Sequence, residues 1–67
     1  MIENRLAIIM AEQKMDCRDL VRITKLDNHT VRKLYKGTTT RIEINTLNAL
    51  CYALQCNTND IFRYKPD

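Results

Sequence analysis

Sixty-seven residues, 45% hydrophobic and 28% charged, suit one small soluble globular domain of modest stability. No run approaches the roughly 18 apolar residues of a membrane span, and Met1 is not followed by a signal-peptide pattern, so a cytoplasmic location without membrane contact is expected. The net charge of +3 is uneven: residues 18–41 hold seven Lys or Arg against two acids, and the segments on either side are each slightly acidic, the footprint of a polyanion-binding face.

The spacing predicts a first helix over residues 2–14. Ile2, Leu6, Ile9 and Met10 fall at i, i+4, i+7 and i+8, one apolar stripe, with Ile8 off it. Asp16 is a good N-cap for a second helix, with Cys17 as its first helical residue. Met15 precedes the cap and suits a hydrophobic staple with Leu20. Leu20, Val21 and Thr24 continue the pattern until Lys25 and Leu26 break it. Asp27 is a second cap, followed by Val31, Leu34 and Tyr35 at helical spacing. Tyr35 is expected in the core. Gly37 stands where a helix end needs a left-handed residue. The outer face of this third helix, residues 27–36, holds Asn28, His29, Arg32, Lys33 and Lys36.

A polar loop, Gly37 to Arg41, follows, because three consecutive threonines disfavour further helix. A fourth helix is predicted from Ile44 to Leu54, with Leu47, Leu50, Cys51 and Leu54 inward and either Glu43 or Asn45 as its cap. Thr58 is expected to cap a last short helix, Asn59 to Phe62, in which Ile61 and Phe62 close the core. Residues 63–67 read as a tail, with Pro66 ending regular structure. No strand is predicted.

Chemistry of the catalytic or metal-binding kind finds little here. Cys17, Cys51 and Cys56 are odd in number and match no common zinc spacing. One or two of them read as buried small hydrophobes in a reducing compartment. His29 has no carboxylate or cysteine at ligand or triad spacing, and no paired carboxylates or activated nucleophile appear. No enzyme activity, metal or cofactor is expected.

Five short helices with a helix-turn-helix at the second and third resemble the Cro/repressor-like (Xre-type) DNA-binding domain. The resemblance covers nearly the whole chain. It rests on Leu20-Val21, Leu26, Thr30-Val31, Leu34, Gly37, Ile44, Leu47, Leu50, Ala53-Leu54 and Ile61, each standing where the family has a core or turn residue. It implies an all-α, compact bundle of four to five short helices, a lambda-repressor-like DNA-binding domain filling residues 1–67. Three departures mark the chain. Lys25 stands where the family usually has Gly, and Cys17 where it often has Gln. Met10 and Tyr35 replace a frequent Arg–Glu pair, so an apolar or sulfur–aromatic contact is expected there.

The resemblance implies sequence-specific binding of double-stranded DNA by a transcriptional regulator, with the third helix in the major groove. Asn can bond adenine through two atoms, Lys and Arg favour guanine, and His can donate or accept. The family's base-reading positions map onto Asn28, His29, Arg32 and Lys33. Its phosphate-holding positions map onto Asp16, Cys17 and Arg18 at the second helix start, and onto Lys36, Thr38, Thr39 and Arg41 after the third. The expected partner state is a homodimer, weak or formed on DNA, through the last two helices and the tail. The rival reading is a protein-interaction module that kept the fold without DNA binding, suggested by Lys25 and Cys17. An RNA binder fits less well, because the basic middle holds only Tyr35 as an aromatic for base stacking.

Overall fold

A computed structural model of the chain describes residues 1–66. Among these, the helices are α1 (Leu6–Glu12), α2 (Cys17–Thr24), α3 (Asn28–Lys36), α4 (Ile44–Leu54) and α5 (Thr58–Ile61). A two-stranded antiparallel sheet joins β1 (Ile2–Asn4) to β2 (Phe62–Tyr64). The helices follow their caps. The Asp16 carboxylate accepts the Asp19 amide at 2.9 Å, and Asp19 in turn accepts the Asp16 amide at 3.0 Å, a reciprocal capping box. Asp27 accepts the Thr30 amide at 3.3 Å and starts α3. Glu43 takes the N-cap position of α4 by its backbone alone, with no side-chain bond. At α5 the N-cap position is taken by Asn57 rather than Thr58, and the Asp60 carboxylate reaches back to accept the Asn57 amide at 2.9 Å.

Helix exits are less ordinary. The chain has one glycine, yet four described residues adopt left-handed backbone: Lys14, Lys25, Gly37 and Gln55. A non-glycine residue there costs roughly 1–2 kcal/mol. Lys25, at φ 59°, therefore reaches the family's turn geometry with a side chain that disfavours it. Its neighbours hold the turn. The Thr24 hydroxyl donates to the Leu20 carbonyl at 2.6 Å and accepts the Leu26 amide at 3.2 Å. The Lys25 amide donates back to the Val21 carbonyl. Lys25→Gly is expected to leave stability unchanged or raise it, because relief of backbone strain offsets the extra freedom of the unfolded chain. Chemical denaturation checks this. A loss above ~1 kcal/mol would mean that the lysine side chain stabilises the turn by more than its backbone costs.

The core lies where the helices meet. Leu6, Ile9 and Met10 of α1, Leu20 of α2, Val31 and Leu34 of α3, Leu50 and Leu54 of α4, and Ile61 of α5 are all buried. Leu47, Leu26, Ile42 and Phe62 pack around them, partly buried. Two residues expected inside are not. Ile44 opens α4 on its solvent side and is 83% exposed. Tyr35 is 46% exposed, while Met10 is buried, so the tyrosine lies outside the core that Met10 helps to build.

The chain ends also differ from the sequence reading. Helix α1 starts at Leu6, and Ile2, placed on its stripe by spacing, instead sits in β1 and is largely exposed. Strand pairing aligns Ile2 with Tyr64, Glu3 with Arg63 and Asn4 with Phe62. Phe62 thus leaves the last helix for β2, and Arg63 and Tyr64 belong to the sheet instead of a tail. Asp67, the end of that expected tail, lies outside the described residues. The Met1 ammonium donates to the Lys65 carbonyl at 2.7 Å, and Lys65 Nζ meets Glu3 at 2.9 Å. The Lys65 hydrogen bond, with Arg5 also near, holds the Glu3 carboxyl below its ordinary value. Asn4 ties this sheet to the rest of the fold. Its Oδ1 accepts the Leu6 amide at 2.9 Å at the start of α1, and its Nδ2 donates to the Leu34 carbonyl at 2.9 Å near the end of α3.

Candidate nucleic-acid interface

Helix α3 is set by what it buries. Val31 and Leu34 point into the core, with Thr30 beside them half-buried. At 100° per residue the opposite side carries His29, Lys36, Arg32, Lys33 and Asn28, and all five are exposed. The Asp27 cap anchors one end. Gly37, at φ 74°, closes the other, where its amide and that of Thr38 return to the Leu34 and Lys33 carbonyls. The helix is therefore held at both ends while its outer face stays open.

That face divides into two flanks. On one side His29 and Lys33 border a shallow cleft whose far wall is Thr39, Arg41 and Glu43 of the loop before α4. On the other side Arg32 and Tyr35 border a cleft with Asp16, Cys17 and Arg18 at the start of α2. Helix α3 thus stands between the α2 start and the loop before α4, with His29 and Lys33 beside Thr39 and Arg41, and Arg32 beside Cys17 and Arg18. Tyr35 joins them, a residue that sequence reasoning had placed inside. Its signal was present: Asn28, Arg32 and Tyr35 fall at i, i+4 and i+7, one stripe along the helix.

Electrostatics differ between the parts. Helix α3 contains no acidic residue. Among the described residues, Arg32, Lys33, Lys36 and Arg41 make no ion pair, whereas Arg22 meets Asp19 at 3.1 Å and Arg18 lies 3.8 Å from Asp16. The Asp19 amide, with Arg18 beside it, holds the Asp16 carboxyl below its ordinary range. The α2 start therefore sets two acidic side chains beside its cations, while the charge of α3 and the loop is left for a partner. Thr38 is exposed, with its hydroxyl against the Lys33 carbonyl at 3.4 Å, and Thr39 is half-buried. Cys17 is half-buried and carries a free thiol.

No described helix is long and apolar enough to cross a membrane. Among the described residues no group of three or more His, Cys, Asp or Glu is placed to hold a metal ion. Cys51 and Cys56 are free and half-buried at the end of α4, and burial, with Cys51 nearby, pushes the Cys56 thiol up from its ordinary value.

Comparison with known proteins agrees with this arrangement. Over 60 residues the chain is 30% identical to YozG of Bacillus subtilis (strain 168), an uncharacterized HTH-type transcriptional regulator. The alignment takes in 90% of this chain and 71% of that protein. Residues 5–67 match the Cro/C1-type HTH DNA-binding domain, which covers all five helices and the turn between α2 and α3. The chain belongs to the Cro/C1-type helix-turn-helix DNA-binding domain family.

Proposed function

We propose that this protein is a cytoplasmic, sequence-specific regulator of transcription that lays α3 in the major groove of double-stranded DNA. One observation carries the reading: α3 is pinned at both ends and presents Arg32, Lys33 and Lys36 free of any carboxylate among the described residues, joined by Arg41. The major groove admits one α-helix, and base edges there offer acceptors to cationic side chains and both donors and acceptors to amides. Asn28, His29, Arg32 and Lys33 face the bases. Lys36, Thr38, Thr39 and Arg41 hold phosphates on one side of the groove, and Cys17 and Arg18 of the α2 start, with the Tyr35 hydroxyl, hold them on the other. No catalysis, metal or cofactor belongs to this reading.

The protein acts as a homodimer, because three or four base contacts make a weak footprint and two-fold symmetry doubles it. Helix α4 supports this. Its eleven residues include no charge, and its outer side exposes Ile44 and Tyr52. Two copies can meet there without like-charge repulsion, which the cationic α3 face would suffer. The rival reading, an interaction module without DNA binding, draws on the α2 start, where the first turn is closed by its own two aspartates.

Selecting bound duplexes from a random pool tests the proposal. The expected result is one enriched motif arranged as an inverted repeat, with half-sites about 10 bp apart or a multiple of that. Enrichment of nothing over the starting pool overturns it and favours the interaction module.

A further inference from the structure

Among the exposed side chains of α3 one pair is already joined. Arg32 Nε donates to Asn28 Oδ1 at 3.2 Å, one turn apart. A guanidinium has five N–H donors in a rigid plane. With Nε engaged, the two terminal nitrogens and their four N–H groups remain, in the fork that meets guanine O6 and N7 together. Arg32 has no carboxylate partner among the described residues, so this one bond fixes its plane without spending its charge.

The same bond changes what Asn28 can do. An asparagine that reads adenine uses Oδ1 to accept from N6 and Nδ2 to donate to N7. Here one of the two Oδ1 lone pairs already accepts from Arg32, which ties the orientation of the amide to the guanidinium. Resting on the α3-in-groove reading above, we propose that Asn28 is a positioning residue for Arg32, and that the two together specify a guanine rather than an adenine. Asn28 acts by holding the arginine fork in its reading plane before DNA arrives, which lowers the ordering cost of the contact. Lys33 gives the contrast. It lies on the other flank of α3, against the 39–43 loop, and an ammonium on a flexible stem has no plane to fix. Its contribution is independent of Asn28.

The test uses the full chain and the duplex enriched from the random pool. Asn28→Ala, Arg32→Ala and the double variant are titrated on that duplex, and on copies in which each guanine in turn becomes 7-deazaguanine, which lacks N7. Lys33→Ala combined with Asn28→Ala is the control for coupling, and circular dichroism of each variant checks the helix. The wild type should lose about tenfold in affinity on deaza substitution at one guanine of each half-site. Arg32→Ala should lose its sensitivity at that base, and Asn28→Ala should lose most of it. The double variant should bind no worse than Arg32→Ala alone, whereas the Asn28 and Lys33 losses should multiply. If the Asn28 and Arg32 losses also multiply, or if Asn28→Ala removes preference for an adenine, the positioning role is wrong while the groove reading stands. If no duplex is enriched at all, both fail together.

Discussion

Leu50→Ala should cost roughly 2–5 kcal/mol of stability. Leu50 sits at the middle of α4 with none of its surface exposed, inside the cluster that also holds Leu6, Leu20, Leu34 and Ile61. All five helices contribute buried residues to that cluster, so truncation opens a cavity in its midst that partial relaxation leaves unfilled. A chain of this length has a total stability of about 3–10 kcal/mol at typical values per residue. The loss is therefore about half of the whole at mid-range values, and the denaturation midpoint of the variant should fall steeply. Leu34→Ala should behave alike, since Leu34 is 2% exposed. Ile44→Ala, on the same helix as Leu50 but solvent-facing, should stay within about 0.5 kcal/mol in the monomer. Urea denaturation followed by circular dichroism reads all three. A loss below about 1 kcal/mol at Leu50 would contradict the packing described above, because deleting a buried leucine side chain rarely costs so little.

The second large effect is on binding, and it separates two kinds of contact within one titration. Arg32→Ala or Lys33→Ala should cost about 1–3 kcal/mol on the preferred duplex and relax preference at one position. Lys36→Ala or Arg41→Ala should weaken binding about equally on preferred and unrelated duplexes, and make the dependence on log salt shallower by roughly one. The difference comes from position. Arg32 and Lys33 leave the body of α3, while Lys36 is its last residue and Arg41 lies in the loop beyond the Gly37 stop. Competition titrations at several salt concentrations give both quantities. Uniform loss from all four substitutions would mean that α3 reads no bases and serves only as a cationic surface.

Much of this was legible in the chain because it is local. Asp16 and Asp27 cap the helices that follow them. Helix α4 spans Ile44–Leu54 as its spacing predicts. Gly37 and Lys25 both take left-handed backbone. The outer face of α3 follows from helical geometry once Val31 and Leu34 are placed inside. What escaped is non-local. Strands β1 and β2 are three residues each and stand at opposite ends of the chain, too short to show an alternating pattern. Ile2 matches a helical stripe by coincidence, and only its pairing with Tyr64 moves it into a strand. Tyr35 was placed inside by its helical spacing from Val31 and by a pairing with Met10 carried over from the family. Its own spacing from Asn28 and Arg32 puts it on the outer flank, where it is exposed. The Asn57 cap was local and readable, since Asn57 and Asp60 stand at capping-box spacing, but the neighbouring Thr58 is an equally good cap former by type alone. The Arg32–Asn28 bond had no such sign, because i, i+4 spacing permits the contact without requiring it.

Binding of the wild-type chain to its enriched duplex and to a scrambled copy, each measured across salt, tests the groove-reading claim most directly. The expected result is affinity that falls linearly with log salt on both, with the enriched duplex tighter at every concentration. Equal affinity for the two duplexes, or no binding to either at low salt, would contradict it.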